Sequence, residues 1–282
     1  MRSGNGARSR PATHDRGAGG RGSSRTPDGV TVETSWRVPE WTAIPRLAHG
    51  FLGRAHGLGA GPFDLDLIRH RLGAVGETPR IVLAARQVHG AHVLSPEDPA
   101  WADLEWHDPA ERLPEADAIV SASADVILTI RTADCVPILL VAPEARAVAA
   151  VHAGWRGLLA GVVEGAVTTL AARYGARPTA IEAAIGPAIG ACCYEFGAEH
   201  RARFSARYGT DADAVWQPRP AGRDHLDVRL LAARALARAG LRPPLIRTLG
   251  PCTAEHPDVL HSYRRDGANA GRQLSYVGWR SD

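Results

Sequence analysis

Three apolar runs crowd into one short part of the chain with almost nothing between them, and they leave the fold little freedom. Residues 126–130 stop at Arg131-Thr132-Ala133-Asp134-Cys135, residues 136–141 follow at once, and residues 147–151 deliver His152 into a Gly154-Trp155-Arg156-Gly157 turn. Short runs of Val, Ile and Leu bounded by turn residues are buried strands. From residue 158 the pattern changes to a helical one. Leu158, Val162, Val163, Ala166, Val167 and Leu170 fall on one face together with Leu159 and Tyr174, and Gly175 is the stop signal. Two of the buried strands thus end in soft ligands, Cys135 and His152.

Net charge places few limits on function once its location is known. The formal +3 is carried by residues 1–35, which hold six Arg against two Asp and one Glu, while the rest balances 27 basic against 27 acidic residues. Nucleic-acid backbones need clustered cations, so no nucleic-acid partner is expected. The sequence contains no Lys, which excludes Schiff-base chemistry and a phosphate-loop lysine. Four Cys, two of them adjacent, in 282 residues do not make a secreted disulfide framework, so a cytoplasmic location is expected. No apolar run approaches the ~20 residues of a membrane helix, and no membrane partner is expected.

Residues 1–35 are rich in Gly, Ser, Arg and Pro, and the expectation is a disordered basic tail ahead of a single domain over residues 36–282. A Gly-dense loop is expected at 50–61, carrying Arg54 and His56. Further elements are expected as a helix at 65–72, strands at 80–88, 181–185, 245–249 and 273–279, and a helix at 229–239 capped by Asp227 and closed by Gly240. Residues 95–115 read as a long irregular loop. Strands and helices mix without strict alternation, and the dinucleotide-binding glycine fingerprint is missing. The expected class is therefore α+β with mixed sheets, not a Rossmann fold.

His89 ends an apolar strand just as His152 does. His89, Cys135 and His152 lie 46 and 17 residues apart, which matches no zinc-finger spacing, so a metal would be held by the tertiary fold. Three protein ligands with an open fourth position are the pattern of catalytic zinc; taken singly, a strand-end His is often structural and a buried Cys a small hydrophobe. Arg156, in the turn opening the helix, and Arg131, Arg264 and Arg54 can build a phosphate or carboxylate pocket, or form ordinary ion pairs. Asp134 is a candidate general acid/base or supporting acceptor, or a turn cap. Cys192 and Cys193 read as core or pocket wall.

Six segments carry a resemblance: QVHG at 87–90, ADAIVS at 116–121, TADCVPILL at 132–140, HAGWRGLLAG at 152–161, IGPAIGACCYEFG at 185–197, and SYRRDG with AGR at 262–272. The chain resembles, over residues 45–280, the family once described as multicopper polyphenol oxidases or laccases and now as zinc-containing purine nucleoside phosphorylases with adenosine deaminase activity. That resemblance implies a single α+β domain with four layers, two mixed sheets between helices. It implies zinc on His89, Cys135 and His152. The substrates it implies are inorganic phosphate and purine nucleosides such as adenosine, inosine, guanosine and 5′-methylthioadenosine. The chain departs from the family pattern at residues 52–57, LGRAHG where Ser-Thr-Arg-x-Gly-Gly is usual, and at Ala270-Gly271-Arg272 where Thr-Gly-Arg is usual. Arg54 and Arg272 are retained, but hydroxyls are lost.

Composition speaks against the older oxidase name. A multicopper oxidase needs on the order of ten His ligands, largely in His-x-His pairs, and its blue-copper centre usually takes an axial Met. This chain has 12 His, no His-x-His pair, and Met1 as its only Met. Copper is then at most an adventitious guest of a His/His/Cys site. The expected activity is zinc-dependent phosphorolysis of purine nucleosides with adenosine deamination in the same site. Alternatives are a Cys-dependent hydrolase or peptidoglycan-editing amidase, with Cys135 as nucleophile and His152 as base, and a non-catalytic zinc-binding protein.

Overall fold

In the computed structural model, which describes residues 23–25, 31–33, 35–61, 64–101, 112–220 and 222–281, two short strands come first. These are β1 (Ser23–Arg25) and β2 (Thr31–Glu33), paired antiparallel. The rest of the expected tail up to residue 34, and residues 102–111 of the expected loop, lie outside the described residues. Next come β3 (Ser35–Trp36), β4 (Leu47–Leu52), the helix α1 (Leu65–Gly73), β5 (Ile81–Leu83), β6 (Val93–Leu94) and β7 (Ala118–Ser121). The central block is β8 (Val126–Thr132), β9 (Val136–Ala142), β10 (Ala147–Ala153), α2 (Trp155–Ala160) and α3 (Val162–Tyr174). It is followed by β11 (Glu182–Ile185), α4 (Arg201–Tyr208), α5 (Thr210–Val215), the pair β12 (Trp216–Gln217) and β13 (His225–Leu226), and α6 (Val228–Arg238). Last are β14 (Ile246–Thr248), α7 (Tyr263–Asp266) and β15 (Gln273–Trp279).

Two mixed sheets carry the fold. The larger runs β14-β11-β9-β10-β7-β6, with parallel pairs at both ends, and the smaller runs β3-β4-β15-β8-β5, parallel only at β8-β5. Alternation along the strands shows why the central runs are apolar throughout. In β9, Ile138 and Leu140 join the layer under α3 and α6, while Leu139 and Val141 meet Leu128, Ile130 and Val277 of the other sheet. On the outer face of the smaller sheet, Ile127 and Leu274 pack against Ile68 and Leu72 of α1. Both faces of both sheets are covered, so the layers run helix, sheet, sheet, helix, as the α+β reading expects. Each fully buried Leu or Ile in these layers contributes about 1.5–3 kcal/mol.

Several expected elements shift. The helix read from residue 158 begins at Trp155 and is interrupted at Gly161, whose φ of 92° ends α2 and starts α3. Only glycine adopts that conformation without cost, and a Cβ there would lie 2.6 Å from an Arg207 guanidinium nitrogen. Residues 50–52 belong to β4 and not to a loop, and the strand expected at 80–88 is limited to Ile81–Leu83. Asp227 caps α6 as expected, accepting from the Leu230 N–H at 2.9 Å.

Candidate active site

The site forms where the chain crosses between sheets. β8 lies in the smaller sheet and β9 in the larger, so residues 133–135 bridge them and place Cys135 at the seam. His152 arrives there from the end of β10. In the β10–β7 register Val151 faces Ala118, so the next residue along, His152, lies against Asp117 and donates its backbone N–H to the Asp117 carbonyl at 2.7 Å. Their side chains meet as well, with His152 Nδ1 2.7 Å from Asp117 Oδ1. That contact leaves His152 Nε2 for Cys135, with which the ring also hydrogen-bonds.

Asp117 also fixes the third ligand. Its buried carboxylate accepts the backbone N–H groups of Val88 (3.2 Å), His89 (2.9 Å) and Gly90 (2.7 Å). His89 sits at φ 60°, a left-handed conformation unusual for a side-chain-bearing residue, and these bonds hold it there. The ligand atoms of His89, Cys135 and His152 all lie within 4.8 Å of one another, with His89 Nε2 3.7 Å from Cys135 Sγ. Gly154 backs the cluster: a Cβ at this position would stand 2.9 Å from His89 Cδ2 and 3.1 Å from Cys135 Sγ.

Electrostatics make the thiol and imidazole a charged pair. Burial opposes ionisation of Cys135, but His152 and His89 outweigh it and bring the thiol from 9.0 to about 6. His152 is the counterpart: burial disfavours its cation, yet Cys135 and Asp117 raise it from 6.5 to about 9. Asp117 is lowered, because its bonds to His152, Gly90 and His89 outweigh burial. One sulfur and two imidazole nitrogens, with an Asp on the far nitrogen of one imidazole, suit a zinc-class ion with a fourth position left open.

The three candidate ligands line a cavity of about 570 Å³ together with Asp134, Arg131, Arg156 and Arg264. Trp155, Tyr194, Tyr263, Gln87 and Arg272 complete most of its wall, and of these only Arg272 had drawn notice in the sequence. Arg54 is not part of the wall. It lies 3.6 Å from Asp266 and donates to the Leu260 carbonyl at 3.3 Å. Arg156 stacks on the Trp155 ring at 4.6 Å, and Arg264 lies 5.2 Å over Tyr194. Arg131 is held by Gln87, which accepts its N–H at 2.9 Å, and burial followed by the neighbouring Arg272 lowers its pKa. Both Asp134 oxygens are engaged, one by the Thr253 hydroxyl and one by the Arg264 backbone N–H at 2.6 Å. Asp117 is the supporting residue that reading single motifs missed; the available signal was an acidic residue directly before a buried strand.

The chain as a whole is similar to known proteins. A family model described as multi-copper polyphenol oxidoreductase laccase matches residues 65–280. A Xylella fastidiosa protein named purine nucleoside phosphorylase is 34% identical over 256 residues, 89% of this chain and 94% of the relative. One from Streptomyces coelicolor with the same name is 38% identical over 249 residues, 81% and 93% of the two chains. The crystal structure of YlmD from Geobacillus stearothermophilus superposes with a TM-score of 0.74 at 26% identity, covering 86% of this chain and 94% of that one. The fold agrees with these likenesses, and the chain belongs to the multi-copper polyphenol oxidoreductase laccase family.

Proposed function

We propose that this chain is a zinc-dependent purine nucleoside phosphorylase that also deaminates adenosine, acting on adenosine, inosine, guanosine and 5′-methylthioadenosine. The observation that carries the reading is the charge of the cavity. Four arginines, Arg131, Arg156, Arg264 and Arg272, face a wall whose one carboxylate among the described residues, Asp134, is already hydrogen-bonded. Such a cavity favours an anionic co-substrate beside a flat, aromatic-lined space, and relatives named purine nucleoside phosphorylase support the same choice.

In this reading His89, Cys135 and His152 hold the ion, and Asp117 fixes the tautomer of His152. When bound, zinc supplies a fixed positive charge that polarises the reacting group. The arginines bind phosphate and aim one oxygen at the anomeric carbon of the sugar. That C–O bond forms as the glycosidic C–N bond breaks, the electron pair leaves with the purine, and a proton reaches the base. Trp155 and Tyr194 offer faces for the purine, and Asp134 keeps the Arg264 backbone in place. The anion site rests on guanidinium groups and not on a helix end, since α2 spans only six residues. Deamination in the same cavity uses water in place of phosphate and releases ammonia. Residues 1–35 are proposed to lie outside the catalytic unit, and four free thiols suit a reducing cytoplasm.

Incubation of the purified protein with a nucleoside panel, with and without phosphate, tests this reading. Sugar 1-phosphate should form only when phosphate is present, and Arg156→Ala should raise the phosphate concentration required while Arg156→Lys restores part of the loss. Free ribose released at an unchanged rate without phosphate sinks the assignment. A second reading rests on the low thiol value of Cys135 beside His152, which also fits a Cys-dependent hydrolase. That activity would survive metal removal, whereas phosphorolysis should not.

A further inference from the structure

Outside the cavity, the structure gathers the three remaining cysteines. The Sγ atoms of Cys192, Cys193 and Cys252 and a carboxylate oxygen of Glu255 all lie within 4.8 Å of one another. Backbone geometry brings them together. Residues 251–255 run alongside the turn that follows β11, through a bridge between Ala188 and Cys252 and a Thr253 N–H to Ala188 carbonyl bond of 3.1 Å. The chain then folds back at Gly190, whose carbonyl accepts from both Cys193 and Tyr194 at 3.0 Å.

We propose that Cys192, Cys193, Cys252 and Glu255 form a second metal site, a closed structural one for a zinc-class divalent cation, separate from the His89–Cys135–His152 cluster. Three thiolates and a carboxylate supply the four ligands that complete a tetrahedron, which is how structural sites differ from catalytic ones. With Zn–S bonds of about 2.3 Å, sulfurs on a tetrahedron stand roughly 3.8 Å apart, so the observed cluster needs only small side-chain shifts. One backbone donor already favours a negative sulfur: Gly190 donates its N–H to Cys252 Sγ at 3.2 Å. A Cβ on Gly190 would lie 3.0 Å from Cys192 Sγ and 3.2 Å from Cys252 Cβ, so a bare backbone is what lets the sulfurs approach. Glu255 already reaches Cys192 Sγ at 3.1 Å, a contact with no purpose in a simple disulfide.

The site's position gives it a consequence. Arg264 donates to the carbonyls of Cys193 (3.3 Å) and Glu195 (3.1 Å), and lies over Tyr194, so a metal that locks residues 192–193 also fixes an arginine and an aromatic of the cavity wall. Cys192 and Cys193, which the sequence offers only as wall or core, become ligands.

Cadmium titration of the full chain, followed by its thiolate-to-metal absorption and by metal analysis, is the test. The wild type should take up about two equivalents, and a His89→Ala/Cys135→Ala variant should keep about one with strong thiolate absorption. Adding Cys192→Ser, at an exposed position, should weaken that remaining site about tenfold or more and remove about a third of its absorption. Glu255→Gln should weaken binding and leave the absorption in place. The proposal is overturned if the His89→Ala/Cys135→Ala variant, folded by circular dichroism, binds no cadmium, or if Cys192→Ser leaves the remaining equivalent untouched. It is equally overturned if the unreduced chain shows Cys252 in a disulfide.

Discussion

The Asp117 carboxylate makes four hydrogen bonds at once, which tie the backbone at His89 to the ring of His152. Asp117→Asn keeps the shape but places an amide where an anion accepts N–H groups. Metal affinity should fall about 10–100-fold, measured by competition with a chelating dye. Gly154 is limited by space alone, since its φ of −72° and ψ of 166° suit any residue. Gly154→Ala should therefore leave the melting temperature nearly unchanged while cutting metal uptake, because the new methyl presses on His89 and Cys135. Unchanged uptake would show that the cluster has slack. In chelator-treated protein, alkylation of Cys135 should switch on near pH 6, well below an ordinary thiol, and peptide mass spectrometry across pH reads this directly. At this scale the sequence singled out the three side chains that the fold clusters, because Cys and His at strand ends are conspicuous. It hid Asp117, whose role depends on a strand register that no local pattern encodes, and it grouped Arg54 with the cavity arginines, whereas the fold sets Arg54 beside Asp266.

Among the elements, the buried strands and the capped helices were the most legible. β15 matches residues 273–279 because Leu274, Tyr276, Val277 and Trp279 give a β-prone stretch, and α6 because Asp227 is a strong cap. The division of α2 from α3 was not legible, since the apolar stripe continues through Gly161 and only its positive φ and the nearby Arg207 reveal the break. α4 and α5 escaped notice because their Arg- and Asp-rich faces blur the helical period. β4 carries a testable pH dependence. His49 is buried, accepts the Val38 N–H at 3.0 Å, and is lowered from 6.5 to about 4 by burial and then by Arg37. The unfolded chain takes up that proton first, so the stabilisation is complete above pH 6.5 and is lost between 6.5 and about 4. The loss should be on the order of 3 kcal/mol. Denaturant titrations at both pH values should show it, and His49→Gln should remove much of the slope; His261, also lowered to about 4 by burial, adds to it.

For the molecule as a whole, one buried carboxylate ties distant segments together. Glu77, 2% exposed, accepts Arg280 through both oxygens at 2.6–2.9 Å and Tyr276 at 3.3 Å, joining the turn after α1 to the end of β15. Glu77→Ala removes the acceptor of the buried Tyr276 hydroxyl and the ion-pair partner of the half-exposed Arg280, and should cost about 2–3 kcal/mol. That corresponds to a melting temperature lower by roughly 5–10 °C in differential scanning calorimetry. The crossing at residues 133–135 has a different kind of consequence, one concerning time. Cys135 belongs to the passage between sheets and His152 to one sheet only, so neither sheet by itself contains the site. During refolding the ability to capture a metal should therefore lag behind secondary structure, arriving only with the docking of the two sheets. A coloured ion such as cobalt(II) would then mark the last step of assembly, and a chain trapped half-closed would stay colourless at that centre however much strand it had formed.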